Sequence, residues 1–140
     1  MSKREILYRG KAVEGNQWIY GIPAYDDVND SWGIIVSLSR DVKCNCQSMK
    51  EDAYLLSGVT VDRDTIGQYT GLTDKNGKEM YEGDIVKIGR ETHQILWKQG
   101  DCAFVFYDPT DKQAYPFDYL EDFRVEVVGN IHDNKITDYD

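Results

Sequence analysis

From Gln68 to Ile88 the chain reads QYTGLTDKNGKEMYEGDIVKI, and this run restricts the fold more than any other. Three positions in it call for special backbone. Gly71 permits a bulge or bend inside the extended segment Gln68, Tyr69, Thr70, Gly71, Leu72. Asp74-Lys75-Asn76-Gly77 is a turn, because Asn76 and Gly77 tolerate left-handed angles that a Cβ disfavours. In Tyr81-Glu82-Gly83-Asp84, Gly83 fits a second position closed to branched residues. Glu82 and Asp84 are short carboxylates suited to accept hydrogen bonds from the backbone N–H groups of such a bend. The run predicts an extended segment, a turn, a tight corner and the opening strand of a barrel-like sheet.

The rest of the chain reads as β with little else. Ile6–Ala12 and Gln17–Tyr20 flank Glu14-Gly15-Asn16, a pattern for a hairpin with a short loop. Asp26–Asp30 reads as a polar loop and Trp32–Val36 as a third strand. Ser48–Leu56 fits a short helix, with Ser48 and Glu51 as a capping box and Gly58 as the stop. Val59–Val61 then forms a brief strand, and Asp62, Asp64 and Thr65 suggest a turn. Ile85–Ile88, His93–Lys98, Ala103–Tyr107 and Val125–Ile131 have strand length, and Pro116–Phe123 fits a helical turn between the last two. Phe104 and Phe106 share one face and Val105 and Tyr107 the other, which places that strand centrally. Burial of each large apolar side chain contributes roughly 1.5–3 kcal/mol. No internal repeat and no Pro- or Ser-rich linker divides the chain. The expectation is one unit over 1–140, subdivided by pattern into 1–66, β-rich with a short helix, and 67–140.

Charge limits the function classes. With 25 acidic and 16 basic residues the formal charge is -9, which weighs against nucleic-acid binding, since that affinity comes mainly from phosphate neutralisation. Apolar runs fall far short of the roughly 20 residues that span a bilayer. MSKREILYRG lacks the apolar core of a secretory signal. The three cysteines, Cys44, Cys46 and Cys102, fit reduced thiols in a cytosol.

At Thr65-Ile66-Gly67-Gln68-Tyr69-Thr70-Gly71-Leu72, Asp74-Lys75-Asn76-Gly77-Lys78 and Tyr81-Glu82-Gly83-Asp84-Ile85-Val86 the sequence resembles the YopX family, small proteins of bacteriophages and prophages. A second match is Val128-Gly129-Asn130-Ile131-His132-Asp133. Tyr8-Arg9-Gly10-Lys11 and Trp18-Ile19-Tyr20-Gly21 fit more loosely. The opening departs from the Lys-Phe-Arg-Ala-Trp with which family members often begin, and residues 22–58 show little match. The resemblance implies an α+β, mainly β fold with a C-terminal SH3-like small barrel from about Gln68, a bacterial cytoplasm and homo-oligomers. It supplies no catalytic residues.

Each candidate for chemistry has a plainer structural reading. Glu79, Glu82 and Asp84 form the densest motif-borne carboxylate group, yet they lack a partner base or a ligand spacing and read as turn acids. Cys44-Asn45-Cys46 lacks paired C-x-x-C spacing, so zinc held with Cys102, His93 or His132 is the weaker reading. His93 and His132 read as surface or barrel-rim histidines. The aromatic residues serve a core, with any surplus fitted to an interface.

The sequence therefore points to a non-enzymatic phage accessory protein that self-associates and binds a host or phage protein, with no cofactor and no metal. One alternative is an acidic DNA mimic or nuclease-blocking factor, disfavoured by interspersed basic residues. Another is a metal-assisted hydrolase using Glu82 and Asp84.

Overall fold

The computed structural model describes residues 5–39, 55–117 and 125–133. The chain forms two compact units, one of Leu7–Ile66, the other of Gly67–Asp140 with Met1–Ile6.

In the first unit β1 (Tyr8–Ala12), β2 (Trp18–Asp26), β3 (Ser31–Ser39) and the leading part of β4 (Leu55–Thr73) pair in succession, and β1 also pairs with β4. These pairings close a circuit. Gly15 and Asn16 turn the β1–β2 hairpin at positive φ, 82° and 54°. Ala12, Ile34 and Val61 are buried inside. The strands pass so closely there that a Cβ on Gly21 would lie 2.1 Å from the Ile35 carbonyl oxygen.

The second unit takes the end of β4 with β5 (Glu79–Tyr81), and a second sheet of β6 (Asp84–Ile88), β7 (Glu91–Lys98), β8 (Ala103–Asp108), β9 (Gln113–Pro116) and β10 (Val125–Asn130). Its order is β10-β6-β7-β8-β9, antiparallel throughout. A 3₁₀ turn at Gln99–Asp101 links β7 to β8. Directly opposed residues point to the same side of an antiparallel sheet. Val127, Val86 and His93 therefore share one face with Val125, Ile88 and Glu91, and with Ile95, Phe106 and Tyr115. Met80, Val86, Ile88, Ile95, Phe106, Val125 and Val127 make the core on that face, and Phe117 stacks on Phe106 with ring centroids 4.1 Å apart.

Three sequence expectations need correction. The fold is all-β rather than α+β, with no α-helix among the described residues. Leu55 and Leu56, assigned to a helix, lie in β4, while residues 48–54 lie outside the described segments, as do 118–123 of the suggested second helical turn. No SH3-like barrel closes in the C-terminal part. Strands β9 and β10 sit at opposite edges of the second sheet, and no pairing among the described residues joins them. The edge strand β9 has 4 residues and ends at Pro116, which has no N–H to offer a further ladder.

The third correction concerns Asp62–Thr65. The strand does not stop there but runs for 19 residues. The local turn chemistry is present: Asp64 N donates to Asp62 Oδ1 at 3.1 Å and Thr65 Oγ1 donates to the Asp62 carbonyl at 2.6 Å. Thr65 Oγ1 also accepts from Lys11 N at 2.8 Å, so the hydroxyl serves in β1–β4 pairing instead of reversing the chain.

Candidate functional site

In the Gln68–Ile88 run Asp74 and Asp84 accept from backbone N–H groups, whereas Glu79 Oε1 accepts from the Tyr81 hydroxyl at 3.3 Å. Asp74 is buried, and its Oδ1 accepts from Asn76 N at 2.9 Å and Lys78 N at 2.8 Å. Its Oδ2 accepts from Val127 N, in β10, at 3.0 Å. Burial pushes the Asp74 carboxyl up, but the N–H groups of Val127, Lys78 and Asn76, with the Lys78 charge, outweigh it and hold the pKa below the ordinary aspartate value. Asp84 is also buried, and its Oδ2 accepts from Tyr81 N at 2.7 Å across the corner. Glu82 differs: burial raises its pKa, opposed by a backbone hydrogen bond from Gln68.

The turn glycines Gly71, Gly77 and Gly83 have φ of 90°, 81° and 94°. Gly83 is also a junction: its N–H donates to the Ile95 carbonyl at 2.8 Å and its carbonyl accepts from Ile131 N at 2.9 Å. A Cβ on Gly67 would stand 2.5 Å from the Glu82 carbonyl oxygen, and Glu82 N donates to the Gln68 carbonyl at 2.9 Å. Tyr69 and Tyr81 are cross-strand partners whose rings lie 5.5 Å apart. Thr70 Oγ1 accepts from Leu72 N. Gly129 opposes Ile85 at the register shift in β10. Asn130 Oδ1 accepts from His132 N and Asp133 N at 3.0 and 2.9 Å. The two motif blocks thus build one corner of the second unit.

A different set of side chains has ligand spacing. Among the described residues, Glu91, His93 and Asp108 are the group whose donor atoms all lie within 4.8 Å of one another. His93 Nε2 stands 3.6 Å from Glu91 Oε2 and 3.9 Å from Asp108 Oδ2. His93 is 2% exposed, and its Nδ1 has no hydrogen-bond partner. Tyr115 packs edge-on to the imidazole at 5.8 Å. The Tyr115 hydroxyl donates to Asp111 at 2.9 Å, a bond that raises its pKa, with further contributions from burial and the nearby acids. Thr110 N, donating at 2.8 Å, holds the other oxygen of Asp108, which turns Oδ2 toward His93.

A model of the YopX protein family matches residues 7–135. The chain belongs to the YopX family. No curated protein matches it. In this YopX chain the match extends across residues 22–58, where the motifs alone showed little likeness.

His93 is not a surface histidine, as its residue type and place at a strand start suggested. The signal lay in alternation: Glu91, His93 and Ile95 take one side of β7, and Ile95 is fully buried. Phe104, Phe106 and Asp108 likewise share a side of β8. Pairing of the two strands brings Asp108 beside His93, and only the register reveals that. Glu82 and Asp84, the acids weighed for hydrolysis, do not converge with a histidine in this group. Cys102 is exposed; Cys44 and Cys46 lie outside the described residues.

Proposed function

We propose that this YopX chain is a non-enzymatic phage or prophage accessory protein of the bacterial cytoplasm that acts by self-association and protein binding. Supporting this is the outer face of β2 in the first unit. Tyr20 is 48% exposed and Ile22 45%, and alternation puts them on one side, with Trp18 and Ala24. Their cross-strand partners on that side are Arg9 for Tyr20, Lys11 for Trp18, Ile35 for Ile22 and Gly33 for Ala24. Beyond these, Gly58 opposes Ile35 and Thr60 opposes Gly33.

The acid that alternation places on this side of β2 is Asp26, at the far end of the strand opposite Ser31, on a chain whose formal charge is -9. Copies of so acidic a protein repel one another except where a contact leaves the acids out. An apolar and aromatic strip about Tyr20 and Ile22, with half-buried Lys11 at its edge and Arg9 buried against the Trp18 ring, meets that condition, and rings with polar tips suit interfaces. A second copy is the occupant that the charge argument favours.

Light scattering on a size-exclusion column tests the reading. The expected result is a multimer at high micromolar concentration that Ile22→Asp returns to monomer without loss of the folded spectrum. A monomer throughout that range, or a multimer indifferent to Ile22→Asp, overturns it.

A further inference from the structure

His93 sits on the apolar face of the second sheet, beside Ile95 and opposite Val86. A buried imidazole is costly there unless both nitrogens are satisfied. Neither nitrogen is within hydrogen-bonding reach of a partner. Nδ1 has none, and Nε2 stands 3.6 and 3.9 Å from the facing carboxylate oxygens. An imidazolium or a neutral Nε2–H in direct contact with a carboxylate closes to about 2.7–3.2 Å. The three donor atoms therefore frame a gap.

A cation bridges a gap of that size. Bonds from zinc to histidine nitrogen or carboxylate oxygen run about 2.0–2.2 Å, which separates tetrahedral ligands by about 3.3–3.6 Å. His93 Nε2 and Glu91 already stand at that separation, Asp108 needs to close by about 0.3 Å on the histidine, and all three atoms lie within 4.8 Å of one another. The donor set has a chemical preference as well. One imidazole with two carboxylates suits zinc or manganese(II), whereas magnesium favours oxygen and retains its waters. Asp108 is oriented for the task, because Thr110 N occupies its other oxygen. Glu91 is exposed and can swing onto an ion as it arrives.

We propose that Glu91, His93 Nε2 and Asp108 form a binding site for one divalent transition-metal cation of the zinc–manganese class, with the remaining coordination positions open to solvent or to an oxygen ligand of a partner. The site ties the start of β7 to the end of β8 and needs no residue from outside the second sheet.

Calorimetry on the full chain with zinc, manganese(II) and magnesium, together with the visible spectrum of the cobalt(II) form, tests the proposal. Expected results are one zinc or manganese(II) ion per chain, at least tenfold weaker magnesium binding, and a cobalt spectrum without thiolate charge-transfer bands. Asp108→Asn should weaken binding at least tenfold. Glu91→Gln changes an exposed residue and leaves folding intact, and it should weaken binding severalfold, whereas Glu126→Gln, away from the site, should not. The proposal is overturned by absence of binding at millimolar metal. Affinity indifferent to Glu91→Gln in the folded protein overturns it too, as does a thiolate band assigning the metal to cysteine.

Discussion

Two of the turns headed by aspartate, Asp26–Asp30 and Asp74–Lys78, differ in what the second carboxylate oxygen reaches. In Asp26–Asp30, Asp26 Oδ1 accepts from Val28 N at 3.0 Å and Asn29 N at 3.3 Å, and Oδ2 accepts from the Asn29 side-chain amide at 2.8 Å. The Tyr25 hydroxyl donates to Asp30 beside it. Every partner is local and exposed. In Asp74–Lys78, Oδ1 also accepts from two local N–H groups, those of Asn76 and Lys78, but Oδ2 reaches Val127, 53 residues away. Lys75 strengthens that join: its N–H donates to the Val125 carbonyl at 2.9 Å and its ammonium lies 3.4 Å from Glu126. The first oxygen shapes a turn; the second decides whether the turn is also a joint. Both carboxyls are held below the ordinary aspartate pKa, Asp26 first by the Asn29 side chain and Asp74 by donors that overcome its burial.

Removing the heads of the two turns should separate them most. Asp74→Ala strands three backbone donors, one of them buried, and should cost about 3–4 kcal/mol in urea unfolding. A loss below about 1 kcal/mol would make the two turns equivalent and end the distinction. Asp74→Asn keeps an acceptor for Asn76 and Lys78 but sets an amide N–H₂ against Val127 N–H, and should cost about 1.5–3 kcal/mol.

The same variant carries a pH test. Because the folded pKa of Asp74 is depressed, its stabilisation is fully present above the unfolded value of about 3.9 and is lost as pH falls through the lower folded value. Wild-type unfolding free energy should therefore fall on acidification below about pH 4, with a shallower slope in Asp74→Asn; parallel acid limbs would refute this assignment.

Gly77→Ala isolates backbone strain, since nothing lies within 4 Å of the added Cβ while φ stays at 81°. It should cost about 1 kcal/mol. Asp26→Ala should change least, leaving the urea midpoint within the scatter of wild-type repeats; a shift matching that of Asp74→Ala would show the exposed turn to be a joint as well.

What could be read from sequence follows the same division between local and distant partners. Asn76-Gly77 declared its turn because tolerance of positive φ, which Gly77 adopts, is a property of the residue itself. Strands β6 to β8 were visible through length and alternation. The α+β assignment failed partly at Leu55 and Leu56, which the capping pattern drew into a helix. The Asp62–Thr65 turn failed because Asp64 and Thr65 make their local bonds without ending the strand. Closure was placed in the wrong half: the β1–β4 pairing lies in the first unit, and no short motif marks it. The Glu91–His93–Asp108 group was missed because Asp108 comes from a neighbouring strand, and register is a property of the pair rather than of either sequence.

The reach of Asp74 orders events when the polypeptide is made. Synthesis runs from the N-terminus at about 5–20 residues per second, so the loop headed by Asp74 leaves the ribosome seconds before Val127 exists. During that interval one carboxylate oxygen can already grip Asn76 and Lys78 while the other is hydrated. The clasp shuts only when β10 is delivered, and a nascent chain arrested upstream of Val127 would hold a formed bend with its latch still open.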